Sequence, residues 1–196
     1  MKNKLGGKMN LFYSSNSKYK DKIEKLYLKS FPKEERFSFG ILDECSKEEN
    51  SDLYAILDNE EFIGMCYVVN CDDAYYLMYL AVEPNLRNKN YGSKILKDLK
   101  EKYNTIFLSI DMPIDKICIR RKSFYLRNGF YDTNKYYEDT GVWYEVLCTN
   151  NECEITDNIM QRRYANMTNN PKLFNAISNT FDVSMVNLKK KIPTKF

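Results

Sequence analysis

An α/β (α+β) domain is predicted, built on a mixed, mostly antiparallel sheet with one parallel strand pair and helices on its flanks. Three observations carry this reading. Strand-like runs between residues 53 and 82 are separated only by the bends Asp58-Asn59 and Asp72-Asp73, and connections that short join antiparallel neighbours. A strand, a helix and a second strand then follow between residues 75 and 110 with short joints, the pattern of a right-handed crossover between parallel strands. Finally, 196 residues with 43% hydrophobic content suit one compact domain.

Taken in order, Asn10 to Ser14 reads as a short strand. A helix from Lys18 to Ser30 puts Ile23, Leu26, Tyr27 and Phe31 on one face and stops at Pro32, with a second helix expected from Lys33 to Lys47. The meander is Leu53 to Leu57, Phe62 to Val69 and Tyr75 to Val82. Past a polar loop, Tyr91, Ile95, Leu96, Leu99 and Tyr103 recur at helical spacing, and a strand from Thr105 to Ile110 follows. A helix from Asp115 to Arg127 ends at Asn128-Gly129, a left-handed cap. Strands Tyr131 to Tyr137 and Val142 to Cys148 are joined through Glu138-Asp139-Thr140-Gly141. Beyond them come helical stretches at Ile155 to Ala165 and Pro171 to Thr180, then a tail with Lys189-Lys190-Lys191.

Composition excludes several chemistries. There is no histidine, which removes Ser-His-Asp and Cys-His pairs and His-ligated zinc. Acids and bases must be carboxylate, tyrosine, lysine, cysteine or water. Cys66 with Cys71 and Cys148 with Cys153 are spaced as two thiol pairs, but they lie in or beside strand-like segments where cysteine acts as a small hydrophobe, so no metal is expected. The opening MKNKLGGKMN lacks a leader's apolar run and no apolar stretch is long enough to span a bilayer, so a cytoplasmic protein is expected. Residues 86 to 127 hold 11 Lys or Arg against four acids. No helix-turn-helix, zinc or aromatic RNA-binding pattern accompanies them, so nucleic acid is not the expected partner.

Two motifs point to chemistry. Leu86-Arg87-Asn88-Lys89-Asn90-Tyr91-Gly92-Ser93 enters a helix N-terminus, where free backbone N–H groups favour an anion; it fits neither a Walker loop nor a dinucleotide turn. The second is Phe124-Tyr125 followed by Gly129-Phe130.

An Arg-x-x-Asn-x-Gly loop after one strand, followed about 30 residues later by Phe-Tyr-x-x-x-Gly-Phe, resembles the GNAT superfamily of N-acetyltransferases, over roughly residues 10 to 149. Phe31-Pro32-Lys33-Glu34-Glu35-Arg36 looks like the first-helix junction of some members. The resemblance implies a GNAT-like sheet whose parallel strand pair lies at the coenzyme A site, with acetyl-CoA as cosubstrate. Arg87, Asn90 and Gly92 occupy the marked positions of the pyrophosphate loop, and Asn88, Lys89, Tyr91 and Ser93 lie within it. Asn90 replaces the usual glycine; asparagine tolerates a left-handed backbone better than other residues with a side chain. Leu80, Ala81 and Val82 would lend backbone groups to the pantetheine arm, and an N–H near Val82 would stabilise charge on the thioester oxygen.

Tyr125 matches the family's general acid for the departing thiolate. Cys118 and Arg121 stand where many members have Asn and Ala, so a coenzyme contact is lost or replaced, with Arg121 or Lys122 reaching for the ribose phosphate. For the base, Asp111 at a strand end is the candidate, and Glu83 is a weaker one. The acceptor is expected against the first two helices, near Glu34, Glu35 and Arg36, and against the last hairpin.

The expected activity is transfer of an acetyl group to a primary amine of a small molecule or peptide by direct attack in a ternary complex. The alternative is a noncatalytic acyl-CoA-binding or regulatory domain. Residues 1–150 form the expected GNAT-like domain, in a monomer or homodimer, and 151–196 a helical extension packing on it with a basic tail.

Overall fold

The computed structural model describes residues 10–13, 18–139, 141–181 and 187–189. The strands are β1 (Asn10–Tyr13), β2 (Ser51–Asp58), β3 (Glu61–Asn70), β4 (Tyr75–Val82), β5 (Ile106–Asp111), β6 (Tyr131–Asp139) and β7 (Val142–Cys148). The helices are α1 (Lys20–Ser30), α2 (Phe39–Cys45), α3 (Tyr91–Lys102), α4 (Lys116–Arg127), α5 (Asp157–Ala165) and α6 (Pro171–Ser178). One seven-stranded sheet runs β1-β2-β3-β4-β5-β7-β6, antiparallel at every junction except β4 with β5.

Both faces of this sheet are covered, which is why β2 and β3 are apolar almost throughout rather than alternating with polar residues. Leu53, Ala55, Met65, Tyr67 and Val69 pack in the layer holding Ile23, Leu26 and Tyr27 of α1, Leu42 of α2 and Ile159 and Met160 of α5. Their neighbours Tyr54, Ile56, Cys66 and Val68 pack in the other, with Ile95, Leu96 and Leu99 of α3 and Phe130. Cys66 and Cys71 consequently belong to opposite layers. Ser14, Thr140, Lys190 and Lys191 lie outside the described residues.

The helix expected from Lys33 to Lys47 is broken. Lys33–Glu35 is a single 3-10 turn, Arg36 is extended, and α2 starts only at Phe39. Burial explains the break: Phe37 is 1% exposed and its carbonyl accepts a hydrogen bond from the Tyr27 hydroxyl at 3.1 Å, which holds the segment extended across α1. Arg36 ties the same corner, donating to the carbonyls of Leu28 (2.6 Å) and Phe31 (3.0 Å) at the end of α1.

What positions the site is the way β4 and β5 part. Their pairing is confined to Tyr75 with Ile106 and Tyr76 with Phe107. On the other side of β4, Tyr67 pairs with Tyr79 and Val68 with Leu77, so Met78 is an extra residue. A bulge of this kind bends and twists its strand. β5 meanwhile stays paired with β7 as far as Asp111 opposite Tyr144. A wedge therefore opens at the carboxyl ends of β4 and β5, where ligands of open α/β sheets bind.

Candidate active site

Two cavities meet in this wedge. The first, of about 820 Å³, runs beside α3 and α4 and is lined by Val82, Leu86, Arg87, Asn88, Asn90, Tyr91, Gly92, Ser93, Lys116, Ile117, Arg120, Arg121, Phe124 and Arg127. Five of these are cations and none is an acid. The second, of about 520 Å³, lies towards the other sheet face, among Glu34, Glu35, Tyr76 to Val82, Asp111, Tyr125, Tyr137, Asp139 and Tyr144. Val82, Arg87 and Arg121 line both.

The basic groove is built by backbone conformation as much as by charge. Asn88 (φ 61°) and Asn90 (φ 66°) are both left-handed, so the asparagine in place of glycine keeps the turn. Asn90 precedes α3 without capping it through its side chain, and the first turn of α3 has no acid. The neighbouring helix differs: Asp115 accepts from the N–H groups of Ile117 (2.8 Å) and Cys118 (2.7 Å), filling the start of α4. Of two adjacent helix starts, only that of α3 keeps its donors for an anion. Arg120 donates to the Asn88 side-chain oxygen at 2.6 Å and steadies the loop, while the Arg87 Nε donates to the Val82 carbonyl at 3.2 Å. Gly92 sits under the Phe124 ring, and a Cβ there would lie 2.9 Å from its tip and push the ring aside.

Several sequence expectations change here. Lys89 is exposed and does not line the groove, and Leu80 and Ala81 line the second cavity. The Tyr91 hydroxyl is bonded to Asp58 at 3.1 Å, although its ring borders the groove. Cys118 is buried outside the lining. Neither basic residue expected at the ribose phosphate is free for it: Arg121 pairs with Asp111 at 2.5 Å, and Lys122 with Asp132 (2.8 Å) and buried Glu145 (2.5 Å). Arg120, Lys116 and Arg127 stand at the groove instead. Arg36 caps α1 and is absent from the acceptor-side lining, as is Glu83.

Tyr125 owes its setting to the turn that ends α4. Gly129 (φ 81°) lets the Phe130 N–H reach back to the Tyr125 carbonyl at 3.2 Å and the Gly129 N–H to that of Leu126 at 3.1 Å. This double closure carries a hydrophobic contact across it. Here the contact is Phe130 against Tyr125, ring centroids 5.4 Å apart, with Phe124 at 5.2 Å on the same ring. Burial pushes the Tyr125 phenol up to about 12, with Arg121 opposing and Tyr76 adding to the rise. It is a proton donor throughout the neutral range.

Glu35 is the group whose titration sequence reasoning missed. It stands on the 3-10 turn after Pro32, and its backbone carbonyl accepts from the Tyr79 hydroxyl at 3.0 Å, which fastens the turn to β4. Its carboxyl is raised above the usual range, by burial first and then by Asp111, with Arg121 opposing. The only sequence signal is the Phe31-Pro32 helix stop. Tyr164 of α5 and Phe181 also line this cavity, and nothing in their local sequence marks them.

Residues 49–132 match the family model described as an acetyltransferase (GNAT) domain. A solved protein assigned to the GNAT acetyltransferase family, from Bacteroides thetaiotaomicron, is 26% identical, with a TM-score of 0.65 over 74% of this chain and 88% of its own. A Bacillus subtilis acetyltransferase in complex with CoA shares the fold at 20% identity and a TM-score of 0.54, over 73% of this chain and 97% of its own. So does a GNAT family acetyltransferase from Elizabethkingia anophelis with acetyl-CoA bound, at 15% and 0.53, over 73% and 98%. No curated protein sequence matches. Among the described residues no group of His, Cys, Asp or Glu is arranged to hold a metal, and no helix is long and apolar enough to cross a membrane.

Proposed function

We propose that this chain is an acetyl-CoA-dependent N-acetyltransferase that moves an acetyl group onto a primary amine by direct attack in a ternary complex. The observation that carries the reading is the junction of two unlike cavities at Val82, Arg87 and Arg121, with the Tyr125 ring beside it. Arg87, Lys116, Arg120 and Arg127 around a helix start with free N–H donors fit a ligand carrying a pyrophosphate and a further phosphate. Acetyl-CoA would supply a thioester, an acyl group already activated towards an amine.

The chain's own residues then have limited work. Arg87, Arg120, Lys116 and the start of α3 hold the phosphates. The parted end of β4, from Leu80 to Val82, offers backbone groups to the pantetheine arm and to the carbonyl oxygen. Tyr125 keeps a proton on its hydroxyl oxygen for the departing sulfur; a phenol at about 12 supplies it by hydrogen bonding and shared transfer. Glu35 accepts the proton that the amine must lose, directly or through one water, and its raised carboxyl is better matched to that task than an ordinary glutamate. Asp111, the base expected from sequence, is paired with Arg121 and holds that arginine at the junction. On this reading residues 1–150 form the transferase unit and 151–196 an extension of it, in a cytoplasmic protein.

Acetyl-CoA at 100 times its dissociation constant should stabilise the fold by about 2.7 kcal/mol. Free thiol should then appear when amines are added. Stabilisation without thiol release from any amine would favour the acyl-CoA-binding alternative, and no stabilisation would end both.

A further inference from the structure

The acceptor cavity has a wall drawn from the segment that follows β7. Tyr164 and Phe181 face it beside Tyr137, Asp139 and Tyr144 of the β6–β7 hairpin. The wall is rigid. Phe181 packs on Phe37 with ring centroids 4.7 Å apart and on Tyr164 at 5.6 Å, and Phe37 meets Tyr164 at 5.6 Å.

Behind the wall lies Arg163, 1% exposed. Its guanidinium sits 4.2 Å from the Tyr164 ring centroid and 5.1 Å from that of Tyr137, and donates to the Met160 carbonyl at 2.6 Å. Its second terminal nitrogen is 3.7 Å from the Asp139 carboxylate. A buried cation is tolerated only where something compensates it. Here two phenol rings and Asp139 do so, and Arg163 in turn fixes the rings and neutralises the carboxylate.

The charge along the cavity is therefore uneven. Asp111 is matched by Arg121 and Asp139 by Arg163, whereas Glu34 and Glu35 have no ion pair among the described residues. Pairing of Asp111 with Tyr144 and of Tyr144 with Tyr137 sets the arginine-backed end two strands from the wedge, roughly 10 Å at the usual strand spacing. One end is acidic and meets the amine. The other is aromatic, and its carboxylate Asp139 is already taken by Arg163, so a second positive charge there would find no free acid.

Resting on the acetyltransferase reading, we infer that residues 155–181 complete the acceptor site, with Arg163 as positioning residue, and that the site selects an amine carried on a flat aromatic body over a polyamine. The ring of such an acceptor packs against half-buried Tyr144, itself stacked on buried Tyr137 at 5.2 Å, and against the Tyr164–Phe181 pair, while its amine reaches Glu35.

The test uses the full chain with acetyl-CoA, reading thiol release with 2-phenylethylamine, tyramine, spermidine and kanamycin. The arylalkylamines should show kcat/KM at least tenfold above the polycations. Phe181→Ala should raise their KM about tenfold, with the loss in KM rather than kcat and acetyl-CoA affinity within twofold of the parent. Arg163→Met should act in the same direction and Arg163→Lys should recover part of the loss. Should Arg163→Met fail to fold, Phe181→Ala still decides the matter. Preference for spermidine or kanamycin, or an unchanged KM in Phe181→Ala, overturns this inference and leaves the transferase reading standing. Bound acetyl-CoA with no turnover of any amine overturns both.

Discussion

The two cavities are made in opposite ways. The basic groove comes from two stretches, residues 82–93, a strand-end loop running into α3, and 116–127, the helix α4. The second cavity collects Phe31 to Glu35, β4, β5, the β6–β7 hairpin, α5 and Phe181, segments up to about 150 residues apart in the chain. The first is charged, with five cations and no acid in its lining. The second is aromatic, with each of its two arginine-paired carboxylates balanced, and its shape depends on a tail that belongs to this chain. On the proposed reading, a constant ligand is met by a local motif, whereas a particular acceptor needs a surface that only packing assembles.

That contrast gives separable expectations. Tyr125→Phe removes the proton donor at the junction and should lower kcat about 100-fold, with the acetyl-CoA dissociation constant within twofold in direct titration. An unchanged kcat would remove Tyr125 from the chemistry.

Glu35→Gln acts on the acceptor side alone and should lower kcat/KM about 30-fold at neutral pH, less than a sole base because Asp111 lines the same cavity. The sign with pH follows from the raised carboxyl: the base form is needed, so the parent's kcat/KM rises with pH through a value above that of an ordinary glutamate. This acid limb should vanish in Glu35→Gln. With Tyr125 at about 12, no alkaline fall from that phenol should be seen up to about pH 10.

On the groove side, Arg87→Ala should weaken acetyl-CoA about tenfold, the scale of one charge-assisted hydrogen bond, and the affinity of the parent should drop with added salt. Acceptor KM should not follow. Arg36→Met should have the smallest effect: loss of the cap on α1 costs about 1 kcal/mol, or 2–4 °C in Tm, with kinetics unchanged. A raised acceptor KM in that variant would return Arg36 to the acceptor site.

Legibility followed the same division. Every strand and helix core was readable, because sheet faces and helix stripes repeat at fixed periods and Gly129 and Pro32 punctuate them. The exception, the missing first half of the second helix, arose where burial of Phe37 outweighed the helical preference of Lys33 to Arg36. The setting of Tyr125, a residue singled out by the family resemblance, is local: a glycine four residues on folds Phe130 back onto its ring. Arg121 and Lys122 were misread because they are adjacent on one helix yet face partners on β5 on the one hand and on β6 and β7 on the other.

Local chemistry thus set the order of elements, the left-handed turn at Asn90, the anion-seeking start of α3 and the position of the phenol, since each depends on neighbours within a few residues. Tertiary structure alone decided which arginine holds Asp111, which glutamate is raised and what closes the acceptor cavity. Burial and charge pairing act between residues far apart in the chain, and no spacing in the sequence records the distance between them.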